Sequence, residues 1–204
     1  MSLLSASVSI TRYKIEGKLK TPVTETVAAA LKKNAISEIE DQSAETMSGW
    51  TSFEKPYQPD FRGSNFVYAT YLVFALRIDK KTIPSKLIQK HFMIESARRM
   101  AASGRQYLSR NEKQIIKDRV IETLYLKVPA VPHVYDIIWN YEASVLWFFS
   151  NLKAANEELE TLFLRSFGLT LIRMFPYTAA QFGSGLSDTE KDILLKLAPT
   201  RFND

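Results

Sequence analysis

Apolar and polar positions alternate along residues 7–15, SVSITRYKI, where Val8 and Ile10, then Tyr13 and Ile15, supply one buried face. That period predicts a half-buried strand. A helix is predicted next, with Thr21 as its cap and Pro22 at its first position, where the missing N–H costs nothing. Val23, Val27, Ala30 and Leu31 form its apolar stripe. Residues 37–65 are polar and carry Gly49, Pro56, Pro59 and Gly63, so they read mainly as loop, anchored by Trp50, Phe53, Tyr57 and Phe61. Residues 66–78, FVYATYLVFALRI, are β-branched and aromatic and predict a central strand.

Two helices follow. The first starts near Pro84-Ser85 and runs to about Ala102, where Ser103-Gly104 breaks it. The second opens with a capping box, Ser109 and Glu112, and ends before Pro129. Ile116, Val120 and Leu124 are its expected inward positions. Residues 133–140 and 143–150 predict a hairpin around Tyr141-Glu142. An amphipathic helix with Leu152, Ala155, Leu159, Leu162 and Phe163 is closed by Gly168. Residues 169–175 read as a last strand and residues 183–185, GSG, as a flexible break. The final helix is capped by Ser187 with Glu190 and carries Ile193, Leu194 and Leu197. Hairpin strands mixed with helices predict an α+β fold: a mostly antiparallel sheet with packed helices and an inserted basic helical tip. The expected division is a discontinuous sheet domain over 1–78 and 130–182, the tip over 79–129, and a C-terminal linker with a short helix over 183–204.

Charge sharpens this picture. The chain of 204 residues is net +5, yet residues 77–119 hold twelve Lys/Arg against four Asp/Glu, a net of +8. The remainder is net −3. Clustered charge of one sign makes a strong local field. Lys86, Lys90, Arg98, Arg99, Arg105, Arg110, Lys113 and Lys117 fall in the two helices and their connection. Arg110, Lys113 and Lys117 share one helix face about 60° wide at 100° per residue. Helix-borne cations at that pitch suit a phosphate backbone; a solvated helix face is the plain alternative. No helix-turn-helix, zinc spacing or ribonucleoprotein aromatic pattern is present, so binding would be indifferent to base sequence. No apolar face lies opposite the basic one for a membrane surface.

Other chemistry is sparse. Cysteine is absent, which excludes disulfides and thiolate metal sites and is compatible with a reducing compartment. The N-terminus carries no basic, apolar leader, and the longest apolar runs, 66–76 and 145–149, are too short to cross a bilayer. A cytoplasmic location is expected. The two histidines, His91 and His133, form no ligand motif. Glu38, Glu40 and Asp41, or Asp188, Glu190 and Asp192, are the carboxylate groups that a metal-dependent exonuclease would need. Trp139, Trp147, Phe148 and Phe149 sit on strands and read as core. No cofactor is implied. A module that uses the basic surface on an acidic protein partner is the third reading.

GRQYLSRNEKQIIKDRVIETL, residues 104–124, resembles the tip-helix segment of the bacterial recombination-associated protein RdgC family, with its E-K-x-x-apolar-K-D core. The flanks agree in order. MSGW (47–50) is similar to that family's Gly-Trp loop, and YLVFALRIDKKTIPS (71–85) to its apolar strand and charged turn. DIIWN, SVLWFFSNLKAANEELETLFLRSFG resembles its Trp-bearing hairpin and following helix. The resemblance spans roughly 8–176. It implies an α+β homodimer without known catalysis, whose two subunits close a ring around double-stranded DNA. Binding is sequence-independent, nucleoid-associated, and restrains recombinase filaments. Arg105, Arg110, Lys113 and Lys117 match the family's basic tip; Arg98 and Arg99 are added from local charge. Members usually run longer, so the resemblance implies a short form lacking a C-terminal ring-closing segment. Where the family has a basic-aromatic turn after the second tip helix, this chain has KVPAVPH (127–133), with Lys127 its only cation.

Overall fold

A computed structural model of the chain describes residues 3–39, 42–63, 65–183 and 185–197. Within them the order is β1 (Thr11–Glu16), α1 (Val23–Lys33), β2 (Thr46–Thr51), β3 (Val67–Tyr68) and β4 (Tyr71–Lys80). Then come α2 (Ser85–Ser103), α3 (Arg110–Tyr125), β5 (Val131–Asn140), β6 (Val145–Phe148), α4 (Lys153–Phe167) and β7 (Thr170–Arg173). α5 (Pro176–Gly183) and α6 (Asp188–Lys196) complete the described chain. The fold is α+β, with the antiparallel sheet curled into a half-barrel. Strand order is β2-β4-β5-β6-β1-β7, and β3 lies end to end with β2 along the same edge of β4.

β4 is the spine. It pairs with β5 over its full length, from Tyr71 opposite Asn140 to Lys80 opposite Val131. Leu72, Phe74 and Leu76 point into the main core. Val73, Ala75, Arg77 and Asp79 point the other way and are buried too. Burial on both faces explains why β4 reads as an unbroken apolar run rather than an alternating one. On the core side, α4 presents Phe163 and Phe167 to Trp50 and Trp139, with Trp139 ring centroids 5.1 and 5.2 Å from the two phenyls. Trp50 meets Phe74 edge-on at 5.3 Å and donates its indole N–H to Ser166 Oγ at 2.8 Å. Truncating one of these rings to alanine removes about 3–5 kcal/mol. α1 adds Val27 and Leu31 to the same core. Tyr13, the buried centre of β1, places its hydroxyl 2.7 Å from Asn156 Oδ1 and 2.9 Å from Glu160 Oε1. Burial first, and then the Glu160 carboxylate, push this phenol well above its ordinary range.

The structure departs from the sequence pattern at several points. β1 begins at Thr11, and Val8 and Ile10 are exposed, because the chain pairs with β6 only from Thr11 onward. Pro22, not Thr21, caps α1, and no side chain bonds its first turn. The stretch read as loop contains β2, an edge strand whose Trp50 is fully buried. The strand expected over 66–78 is split by a turn at Ala69, with φ 53°, into β3 and β4. α5 was not anticipated. Leu152, expected in the stripe of α4, is its exposed N-cap. Of the GSG break, Ser184 lies outside the described residues, as do Glu40 and Asp41 of the first acidic group.

Gly49 of β2 is where close backbone approach matters. The segment leaving α1 runs beside β2, with Ile36 N–H donating to Trp50 O at 2.9 Å. A Cβ on Gly49 would lie 2.5 Å from both Ile36 Cα and Ile36 N. Backbone cannot swing aside as a flexible side chain does. Gly49→Ala is therefore expected to destabilise the fold by about 1–3 kcal/mol, read as a lower urea midpoint at unchanged m-value.

Candidate nucleic-acid interface

α2 and α3 form a helical hairpin inserted between β4 and β5. Two caps placed back to back make the turn. Gly104, with φ 64°, ends α2 in the left-handed conformation, and Arg105 N–H returns to Met100 O at 3.2 Å. Five residues on, Ser109 Oγ accepts from Glu112 N at 3.2 Å while the Glu112 carboxylate accepts from Ser109 N at 2.9 Å. This is the capping box expected from sequence. Leu108 is buried between them.

The base of the hairpin is held by a buried cation. Lys81, fully buried just past β4, donates to Tyr125 O at 2.7 Å and to Gln42 O at 2.9 Å. Tyr125 is the last residue of α3, so the ammonium sits where a helix presents unpaired carbonyls. Beside it, Arg77 chelates Asp79 at 2.7 and 2.6 Å and reaches Glu38 at 3.3 Å.

The hairpin itself is wet. α2 buries none of its residues, and α3 buries only Val120 and Leu124. All eight cations picked out from sequence are exposed. Arg98 has Glu95 at 3.9 Å and Arg105 has Glu112 at 3.2 Å. Among the described residues, Lys86, Lys90, Arg99, Arg110, Lys113 and Lys117 have no carboxylate within ion-pair distance.

The eight do not all share one wall. A cleft of about 760 Å³ lies between the two helices, and only Arg98 and Arg99 of the eight line it. At 100° per residue, Lys86 and Lys90 lie roughly 120–160° around α2 from that cleft. Lys113 and Lys117 begin a row on α3 that ends, seven residues on from each, in the buried Val120 and Leu124. Two further cations at the cleft, Arg119 and Lys127, were not among the eight. Only their nearness in space reveals them. Ile116, expected inward with Val120 and Leu124, is only half-buried, and Ile115 is 58% exposed.

The chain matches the family model described as "Putative exonuclease, RdgC" over residues 9–181. The chain belongs to the RdgC family. No curated protein matches it significantly. The match spans the sheet and the α2–α3 hairpin, so the basic insertion of this RdgC-family chain falls within the matched region. The description raises metal-dependent hydrolysis, for which Glu38 with Glu40 and Asp41, and Asp188, Glu190 and Asp192, are the candidate carboxylates, Glu40 and Asp41 lying outside the described residues. Among the described residues no three His, Asp or Glu side chains come together as a cation requires. Glu38 pairs with Arg77, Asp188 with Lys191 at 3.0 Å, and Glu190 caps α6 through Ser187. Nor is any helix among the described residues long and apolar enough to cross a membrane.

The capping box carries a pH signature. Glu112 is held below its ordinary 4.5, first by the Ser109 backbone N–H, then by the Ser109 hydroxyl, with Arg105 adding a smaller pull. A lowered folded value means the cap is intact above the ordinary carboxylate value and is lost as pH falls through the lowered one. The Ser109 amide-proton shift is expected to titrate with a midpoint below 4.5. Ser109→Ala should move the Glu112 midpoint back up toward 4.5, as followed by its own side-chain resonances, and remove about 1 kcal/mol of helix stability.

Proposed function

We propose that this RdgC-family protein binds double-stranded DNA without regard to sequence, through the exposed cations of the α2–α3 hairpin. The observation that carries this reading is the set of six cations, Lys86, Lys90, Arg99, Arg110, Lys113 and Lys117, with no carboxylate among the described residues within ion-pair distance, on an exposed hairpin. A cation already neutralised by a neighbour releases few counterions from DNA; an unpaired one contributes fully. Arg105 at the turn, and Arg98 at the cleft, add to the field. The sheet is the scaffold, and β4 with β5 carries the hairpin. A homodimer that encircles duplex DNA on the nucleoid and restrains a recombinase is the form the family resemblance supports.

With four to six phosphates contacted, log K for a random duplex is expected to fall with log salt at a slope of about −4 to −5. Arg110→Glu with Lys113→Glu should weaken duplex binding uniformly across sequences and shallow that slope by roughly 2. A flat salt response, or a double variant that binds as tightly as the parent, rejects the proposal. Light scattering with and without a duplex oligonucleotide reads the subunit number together with binding.

The family model's description favours a second reading, an exonuclease. End-labelled duplex incubated with Mg²⁺ or Mn²⁺ discriminates the two. Retained label with salt-sensitive binding is the outcome expected for a binding protein; nucleotide release from the ends would establish the nuclease.

A further inference from the structure

The cleft between α2 and α3 has a composition that a phosphate backbone does not call for. Its apolar lining is Ala102 from α2, and Ile115, Ile116, Val120 and Leu124 from α3. Its rim is cationic: Arg98, Arg99, Arg119 and Lys127. Two acids also line it, and both are engaged, Glu95 with Arg98 and Glu112 with the Ser109 amide and Arg105. The volume, about 760 Å³, lies in the range of sites that take side chains or ligands rather than bulk water. A DNA strand needs cations on an accessible flank and gains nothing from isoleucines. A chain that is negative along one side and apolar along the other gains from both.

We propose that this cleft is a docking groove for an acidic amphipathic segment of a partner protein, one that places apolar side chains between the helices and carboxylates against the rim. Apolar anchors at helical spacing in a groove are a recurring mode of peptide recognition, and charge complementarity at the rim sets the partner. Two features of the hairpin fit that use. Ile115 stands 58% exposed at the cleft, an apolar side chain with no cover. α2, nineteen residues long, has no buried residue, so among the described residues none closes over the open side of the cleft. Arg98 and Arg99 belong to both the rim and the duplex-binding field, whereas Ile115, Arg119 and Lys127 are particular to the groove. Variants at Ile115 and Arg119 therefore separate the two uses.

The test uses the full chain and a fluorescein-labelled synthetic peptide of about 20 residues, closed by a hydrocarbon staple on its polar face because an isolated helix of this length and charge is marginal in water. It carries leucines at i, i+4, i+7 and i+11 and glutamates elsewhere. Controls are a peptide of the same composition with the spacing shuffled, and one with lysine for every glutamate. Anisotropy is expected to show saturable binding of the patterned acidic peptide only. Ile115→Glu and Arg119→Glu each should weaken it roughly tenfold or more. Both positions are exposed, so the variants should keep the parent's thermal midpoint, which is checked alongside. Duplex affinity of Ile115→Glu should fall far less than its peptide affinity, and Lys113→Glu with Lys117→Glu should weaken duplex binding far more than peptide binding. Equal binding of the shuffled peptide reduces the effect to net charge and overturns the proposal. So does a loss of duplex affinity in Ile115→Glu as large as its loss of peptide affinity, which would make the groove part of the DNA surface. A dimer that binds no peptide and dissociates on Ile115→Glu would assign the groove to a second copy. Loss of duplex binding alone, in any variant, bears only on the DNA reading.

Discussion

The insertion of a charged hairpin into a sheet depends on where its two ends are held. β4 and β5 pair over ten residues, so the chain leaves the sheet at Lys80 and must return at Val131, its cross-strand partner. Lys81 joins the two ends with one ammonium: it follows the strand that leaves and binds the carbonyl that terminates the helix that returns. Burying a charge costs several kcal/mol unless its hydrogen bonds are met, and helix-end carbonyls are the acceptors best able to meet them. Arg77, Asp79 and Glu38 extend this polar layer along β4. The charge that stabilises the fold is thereby kept apart from the charge displayed beyond it.

That separation explains the character of α2 and α3. A helix with no buried face gets little stability from tertiary packing, so its ends must be closed locally. The turn supplies this with a left-handed glycine on one side and a reciprocal cap on the other. Mutual repulsion among the cations is the opposing term, and it is also the property that draws a polyanion. Stability of the body comes from elsewhere, from the aromatic seal of α4 against β2, β4 and β5. Charges on the hairpin can vary without touching that seal.

The two surfaces of the hairpin ask for different partners. Unpaired cations on the flanks suit a regular line of phosphates. The cleft, with isoleucines below arginines, suits an acidic chain that brings its own apolar side chains. The two proposals place both uses on one pair of helices.

Much of this was legible in the residues because it is local. The Ser109–Glu112 and Ser187–Glu190 boxes, the glycines that close α2 and α4, the doubly buried run of β4 and the hairpin of β5 and β6 each depend on neighbours a few residues away. The clustering of cations, and the collinear likeness to the RdgC family, needed no coordinates either. β2 was read as loop because an edge strand of Thr, Ser and Gly has no apolar rhythm, and only pairing with β4 makes it a strand. Which cations stand at the cleft, and that Arg119 and Lys127 join them, was decided by the tertiary structure alone. Periodicity orders side chains around one helix axis. How two such axes are turned toward each other is set by packing, and no local pattern along the chain carries that angle.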